Sequence, residues 1–432
     1  MIQLLNGMRV VELASYIMGP IAGRVLGEWG AEVIKVEPAI RQTFNPMDGD
    51  GDLIRAAGLA RSVMNGDPCI WEFINGNKKS VCINTRTTEG RKAMIDLCLS
   101  ADVVISHLRQ KDAKKLGVDY DSLSAQKPDI IVASTSGYGI TGPDAERGGF
   151  DAVAFAARSG MITGLSPSGE PFLPFYGMGD VTSGTYLAAA ILAAYIKKMQ
   201  TGMGEEVTVS LYGSAIWTAG VPIMTSVYGD PYPTPKSAQM PTGQPYQCAD
   251  GKWIYLMGND WPAAVDGLCD IMDMPADAKQ KWPSYLDAIK NKAEIIEILT
   301  ENFLKQPRDY WLEKLATTRI PYDVLAEFKD IQSDPQAWEA GFLLPNAVEG
   351  YDVAIPATPA QFRNAGKAEL TMNYSGEHTV EQFKAIGYSD EEIEDLLAKG
   401  VVTQLDPETY EYDRFNVMKP GTTYNMIMGG GK

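Results

Sequence analysis

Short β-branched runs alternate with stretches of helical spacing along the first half of the chain. Residues 8–13 (MRVVEL) read as a strand, 19–29 as a helix and 32–37 (EVIKVE) as a second strand, which together make a β-α-β unit. The alternation continues with a helical 89–99, a strand at 102–106 (DVVIS), a basic stretch to Gly117 and a strand at 129–135 (DIIVAST). Such alternation implies a mainly parallel, helix-covered sheet. A strong helical pattern over 183–199 and a strand at 206–211 (EVTVSL) follow, and the Pro-rich stretch 231–245 reads as a connection between domains. The fold class expected is α/β, with a large Rossmann-like parallel-sheet domain and a smaller α+β domain. Residues 1–225 form the first part of the large domain. Residues 226–325, with one strand at 253–257 (WIYLM) and several helices, form the small domain. Residues 326–402 return to complete the large domain, and 403–432 are a C-terminal extension with little core pattern. Within the return, Ser389-Asp390-Glu391-Glu392 is a capping box that starts a helix ending before Gly400.

With 432 residues, 45% of them hydrophobic, there is apolar material for two cores. The longest unbroken apolar run, 186–196, is too short to span a bilayer, and the amino terminus shows neither a basic start nor a small-residue cleavage site. A cytoplasmic location and no membrane partner are therefore expected. A formal charge of −17 argues against nucleic acid as a partner, because neutralising phosphates requires a basic surface. The five cysteines are odd in number, widely spaced and without a CxxC pair, which points to reduced thiols rather than to zinc or redox work. With only two histidines, His107 and His378, chemistry built on a histidine base or a multi-histidine metal site has few candidates, and a carboxylate mechanism gains weight.

Several motifs fail on their own terms. The acidic run from Asp48 to Asp52 lacks the Gly and the Glu that a calcium loop needs, having Leu53 and Leu59 there. The first β-α-β turn offers Gly19 and Gly23 but no G-x-G-x-x-G, so no nicotinamide cofactor is expected. Neither a Walker-type G-x-x-x-x-G-K-[ST] nor a G-x-S-x-G elbow occurs, and no metal is expected.

What remains is an ordered set of small motifs. Gly19-Pro20, the run Gly30 to Pro38 (GAEVIKVEP), Gly51-Asp52 with Arg55, Asn77-Lys78-Lys79-Ser80 and Ala101-Asp102-Val103-Val104 lie in the first quarter. Ser136-Gly137-Tyr138-Gly139, Thr141-Gly142-Pro143, Gly149-Phe150-Asp151, Gly179-Asp180, the run Thr201 to Glu205 (TGMGE), Asp334-Pro335-Gln336 and Gly387-Tyr388-Ser389 with Leu396-Leu397 follow. In this order and spacing the chain resembles the class III coenzyme A transferases over about residues 5–402. Its pattern is most similar to the branch that handles 2-hydroxy acids such as phenyllactate or 2-hydroxyisocaproate.

The resemblance implies that Asp180 is the catalytic carboxylate and that coenzyme A is the co-substrate, with small carboxylic acids and acyl-CoA as partners. The chemistry is sound in itself. A carboxylate can attack a thioester because the departing thiol has a pKa of about 8.5. A mixed aspartyl anhydride and then an aspartyl-CoA thioester would follow. A helix start favours the ionised carboxylate, and N–H groups around Gly179 would stabilise oxyanions; an isolated Asp there would otherwise read as a helix cap. The resemblance further places Lys78, Lys79 and Lys115 at the CoA phosphates and adenine, His107 beside the adenosine and Tyr138 along the pantetheine arm. For the lysines a solvated face, for His107 a surface histidine and for Tyr138 a packed core ring are the alternatives. Tyr16, Ile17 and Met18 fall beside the oxyanion, where an apolar residue disfavours a tiny polar acyl group. Gly243 and Gln244 fall in a loop that closes over the acyl intermediate, and the family's interlocked homodimer is the expected assembly. Carnitine- or bile-acid-type transfer, 2-methylacyl-CoA racemisation using an Asp and a His, and non-enzymatic CoA binding are the rival readings.

Overall fold

The computed structural model describes residues 1–39, 52–56, 69–166, 168, 170–172, 174–232, 239–348 and 350–404. The acidic run up to residue 51 and the C-terminal extension from 405 lie outside the described residues. Two compact units are present: Met1–Ile223 with the described residues from Asp334 onward, and Met224–Ser333.

In the larger unit the alternation seen in the sequence becomes a doubly wound sheet. Its first half runs β1 (Arg9–Leu13), α1 (Met18–Glu28), β2 (Glu32–Pro38), α2 (Cys69–Asn75), β3 (Lys79–Ile83), α3 (Thr88–Leu99) and β4 (Val103–Ser106). Helices α4 (Gln110–Leu116) and α5 (Tyr120–Ser124), β5 (Ile131–Ser136), α6 (Met161–Gly164), α7 (Met178–Thr201), β6 (Glu205–Ser210), α8 (Leu211–Thr218) and α9 (Gly220–Ser226) follow. Strands β1 to β6 are parallel in the order β3-β2-β1-β4-β5-β6. Between β1 and β4 the winding reverses, and in such sheets ligands bind in the crevice beyond the carboxyl ends of the two strands at that point.

Alternate residues of each strand feed two cores. Val10, Val33, Val103, Ile105 and Ile131 pack with Ile21 of α1 and Leu187 and Ile191 of α7 on one face. Val11, Ile34, Val81, Val104 and Val132 pack with Met94 and Leu97 of α3 on the other. Burial on both faces explains why these strands read as continuous β-branched runs. Helix α7 begins five residues earlier than its apolar pattern predicts. The sequence Met178-Gly179-Asp180-Val181-Thr182 has weak helix propensity, and tertiary packing supplies what propensity does not: Gly184 lets the α1 backbone approach until a Cβ there would stand 2.5 Å from the Met18 carbonyl.

Within the smaller unit β7 (Gly243–Gln247), β8 (Trp253–Met257) and β9 (Tyr322–Val324) form an antiparallel sheet. It packs with α10 (Trp261–Ile271), α11 (Ala278–Lys281), α12 (Tyr285–Lys290), α13 (Lys292–Phe303) and α14 (Arg308–Leu315) around Trp261, Trp282, Phe303 and Trp311. Gly243 and Gln244 correct one expectation: they are strand, not loop, paired with Met257 and Leu256, and the Gln244 amide donates to Met240 O and the Tyr246 hydroxyl. Pro245 is tolerated because β7 is an edge strand. Back in the larger unit come α15 (Pro335–Glu339), the short antiparallel pair β10 (Leu343–Leu344) and β11 (Ile355–Pro356), α16 (Thr379–Ala385) and α17 (Asp390–Ala398) with the expected capping box. The antiparallel β12 (Val402–Thr403) then closes the β3 edge. Among the described residues no helix is long and apolar enough to cross a membrane.

A cluster of charges is sealed between β1, β2 and α1. Lys35 Nζ lies 3.0 Å from Glu12 Oε1 and 2.8 Å from Asp52 Oδ2, and donates to the Ala14 carbonyl at 2.7 Å. Arg55 grips Glu37 with two bonds of 2.7 Å and lies over the Trp71 ring, while Ser80 donates to Glu37 at 2.6 Å. Against the desolvation of the site, Asp52 and Glu12 hold the Lys35 ammonium above its ordinary range. Replacing Lys35 by Met leaves the buried Asp52 carboxylate without its cation and Glu12 with Lys78 alone, and removing one partner of a buried charge pair costs about 3–5 kcal/mol. Urea unfolding of Lys35→Met is expected to show a loss of that order. A midpoint equal to that of the unaltered protein would mean the cluster does not hold the fold.

Candidate active site

Two cavities open at the carboxyl end of the sheet, and they meet at the switch point. The first, about 500 Å³, is lined by Glu37 and Pro38 at the end of β2, Ile83 at the end of β3 with Asn84 to Arg86 after it, Met94 of α3 and Leu116 of α4. The second, about 740 Å³, runs past the ends of β4 and β5 to the start of α7 and contains Asp180. Ser15, His107 and Leu108 line both. Both volumes are in the range of small-molecule sites.

The turn after β1 shapes the junction. Ala14 is tied to Lys35, and the Ser15 N–H points at His107 Nδ1, 3.2 Å away. That nitrogen also lies 3.0 Å from the Leu13 carbonyl. Desolvation lowers the His107 pKa, with the Leu13 carbonyl opposing, which favours the neutral ring. Tyr16 takes φ +64°, a conformation that a non-glycine residue adopts only when its surroundings over-determine it. Its ring meets Phe150 edge-on at 5.7 Å, and both line the second cavity with Met18, Ile140 and Phe175. Ile17 is buried at the start of α1, its side chain against Gly177.

Asp180 is the third residue of α7, after Gly177 in the left-handed conformation. Burial, and then the nearby Asp151 carboxylate, push its pKa up to about 7. Among the described residues none donates a hydrogen bond to its carboxylate. The N–H groups of the first helical turn are partly diverted, because Gly179 N–H donates to Asp151 Oδ1 at 2.9 Å and the Gly177 N–H also favours the charged Asp151. The expectation that Gly179 is an oxyanion donor is corrected by that bond. The Met178 and Asp180 N–H groups remain at the helix start, ahead of the first intrahelical bond, Val181 N–H to Gly177 O.

The lysines expected at the CoA phosphates are placed elsewhere. Lys78 is 4% exposed, its ammonium bonded to Glu12 at 2.8 Å, to the Pro20 carbonyl at 2.8 Å and to Asn75 at 2.9 Å, and burial pushes its pKa down to about 7. Gly23 of α1 makes room for that pair, since a Cβ there would overlap Glu12. Lys79 opens β3 at the end opposite the cavities and pairs with Glu32 and Glu381. Lys115 is exposed one residue before Leu116, which lines the first cavity, but does not line it itself. Tyr138 is half-buried against Tyr212 with Arg147 and Arg158 over its ring, and its neighbours Gly137 and Gly139, rather than Tyr138, line the second cavity. Among the described residues, the cations that line the cavities are Arg86 in the first and Arg109 and Arg147 in the second. Sequence reasoning singled out none of these arginines, and it quoted Asp151 only as part of a motif. Among the described residues no group of three or more His, Cys, Asp or Glu side chains is arranged to hold a metal ion.

Comparison with known proteins gives this geometry its context. The sequence model of CoA-transferase family III matches residues 5–379. The chain is 34% identical over 407 residues to a (R)-2-hydroxy-4-methylpentanoate CoA-transferase of Clostridioides difficile, covering 92% of this chain and 99% of that protein. It is 30% identical over 402 residues to a cinnamoyl-CoA:phenyllactate CoA-transferase of Clostridium sporogenes, covering 90% of this chain and 95% of the relative. The crystal structure of a CAIB/BAIF family protein from Brucella suis superposes with a TM-score of 0.73 at 27% identity, over 89% of this chain and all of that one. With a matching family model over most of its length, this doubly wound α/β chain belongs to CoA-transferase family III.

Proposed function

We propose that this chain moves coenzyme A from an acyl-CoA to a 2-hydroxy acid with an apolar side chain, with Asp180 as the carboxylate that is transiently acylated. The observation that carries the reading is the place of Asp180: a desolvated carboxylate, raised to about 7, in an aromatic-lined cavity that joins a second cavity at the switch point. Asp180 attacks the thioester carbonyl, the C–S bond breaks, and CoA thiolate leaves behind a mixed anhydride. The thiolate then attacks the aspartyl carbonyl, the donor acid departs with one of the aspartyl oxygens, and an aspartyl-CoA thioester remains. An acceptor carboxylate reverses both steps, regenerating Asp180 and releasing the new acyl-CoA. The N–H groups of Met178 and Asp180 are the candidate oxyanion donors.

For the co-substrate, the first cavity offers Val36, Met94 and Leu116 as apolar walls and Arg86 as a cation, which suits an aromatic base carrying phosphate. His107 stands between nucleotide and thioester. Tyr16, Met18, Ile140 and Phe150 suit a branched or aryl side chain, as do the substrates named for the two clostridial relatives. The assembly we infer is a homodimer. In the larger unit Trp217 and Val221, on α8 and α9, are each more than 60% exposed, apolar surface of the kind a second copy covers.

Assayed with cinnamoyl-CoA or a branched enoyl-CoA as donor and the matching 2-hydroxy acid as acceptor, the protein is expected to show double-displacement kinetics, and Asp180→Ala to lose ~10³-fold or more in kcat. Because the ionised carboxylate attacks, the rate rises with pH through about 7 and falls below it. Absence of transfer with every donor, together with α-proton exchange in deuterated water, would replace this reading with racemisation. Phe150→Ala is expected to lower kcat/KM for aryl and branched acceptors by roughly tenfold, as loss of about 1.5 kcal/mol of apolar burial implies, and to leave acetate-sized acceptors unchanged. An equal loss on both classes would remove Phe150 from the acyl wall.

A further inference from the structure

Asp151 is arranged in a way that the reaction as drawn does not use. It opens a π-helical turn, Asp151–Ala157, after the extended Phe150. Such turns are rare and recur at functional sites. Its carboxylate accepts the Gly179 N–H at 2.9 Å at the start of α7, and the Gly177 N–H on the other side of Met178 also favours its charge. The fit is close: a Cβ on Gly179 would overlap both Asp151 Oδ1 and the Phe155 ring of the same turn. Asp151 lines the second cavity with Asp180 and makes no ion pair among the described residues. Two uncompensated carboxylates in one partly desolvated cavity oppose each other, an arrangement that folding alone does not favour.

We propose that Asp151 is a positioning residue for acyl transfer, binding the Gly179 N–H in the first turn of α7 so that the Asp180 carboxylate is fixed in the cavity without donors of its own. The proposal rests on the reading of Asp180 as the nucleophile. Two effects follow from the one contact. Clamping Gly179 fixes the backbone from which Asp180 projects, and small misplacements of a reacting group can cost ~10²-fold in rate. Occupying that donor also keeps it from the Asp180 carboxylate, which stays basic and weakly solvated. When Asp180 is acylated its charge disappears, so its repulsion with Asp151 is present before reaction and relieved in the anhydride and the thioester. The other titratable and charged groups of the cavity are His107, Arg109, Glu146 and Arg147, with the phenols of Tyr16 and Tyr176. All of them stay in place in the variants below.

Asp151→Asn keeps an oxygen for the Gly179 N–H but removes the charge, whereas Asp151→Ala removes both. Single-turnover acylation of Asp180 by acyl-CoA, followed as a function of pH, separates the two effects. Asp151→Asn is expected to move the acid limb to lower pH with a limiting rate within about tenfold of the unaltered protein. Asp151→Ala should move the limb in the same direction and lower the limiting rate by ~10²-fold, with KM changed less than about threefold. If the alanine variant does not fold by circular dichroism, the asparagine limb decides alone. An unshifted limb in Asp151→Asn overturns the proposal, as does a limiting rate in a folded Asp151→Ala equal to that of Asp151→Asn. Failure of the unaltered protein to acylate Asp180 at all would instead overturn the nucleophile, and the role of Asp151 with it.

Discussion

The ammonium of Lys35, shut away from water between Glu12 and Asp52, ties the sheet to the site. Lys35 lies in the middle of β2 and Glu12 faces it across the parallel ladder, so the ion pair is an interaction between neighbouring strands. Its third bond, to the Ala14 carbonyl, reaches the turn that follows β1. From that turn come Ser15 at the junction of the cavities, the left-handed Tyr16, and the buried Ile17 that abuts Gly177. A strained residue holds its conformation only while its surroundings insist on it. Here the insistence comes from Lys35 on one side and His107 on the other, and His107 is itself set by the end of β4. The reversal of winding between β1 and β4 thus supplies both the crevice and the means of shaping its floor.

Around Asp180 the energetic logic differs. The Lys35 cluster satisfies its charges with opposite ones, whereas Asp180 is desolvated and faces a like charge. Desolvation and the Asp151 carboxylate both disfavour its ionised form. A carboxylate at rest in water is a poor nucleophile because water and cations stabilise its charge. In the mechanism proposed, a carboxylate stripped of donors and poised near neutral pH is ionised often enough to react and basic enough to do so. The helix start that would ordinarily stabilise the anion is directed in part to Asp151 instead.

Much of the frame was legible from residue pattern. The β-α-β opening, the later strands and the capping box at Ser389 follow from periodicity and local chemistry, because they rest on contacts along the chain or on uniform burial. The place of Asp180 came from an ordered set of motifs rather than from its own surroundings. What could not be read depends on partners distant in sequence. Lys78 looked like a surface cation because lysine is seldom buried, and the Glu12 that accommodates it lies on another strand. Helix α7 begins at Met178 although its glycines argue otherwise, since Gly179 is there for the close approach of Asp151 and Phe155. Gly243 and Gln244, placed in a loop by the family resemblance, pair across an edge strand. Arg86, Arg109 and Arg147 were indistinguishable from other arginines until the cavities placed them.

The central claim is that the Asp180 carboxylate becomes covalently bonded to the acid it activates. An acceptor acid labelled with heavy oxygen in both carboxylate positions tests it most directly. If the acceptor carboxylate attacks the aspartyl thioester and CoA then recaptures the acyl group, one substrate oxygen is left on the enzyme. After turnover and proteolysis, the peptide containing Asp180 should be heavier by one such oxygen, and tandem fragmentation should assign it to that side chain. Full transfer of CoA with no heavy oxygen in the peptide would contradict the account, since the acyl group would then have passed between acids without ever being bonded to Asp180.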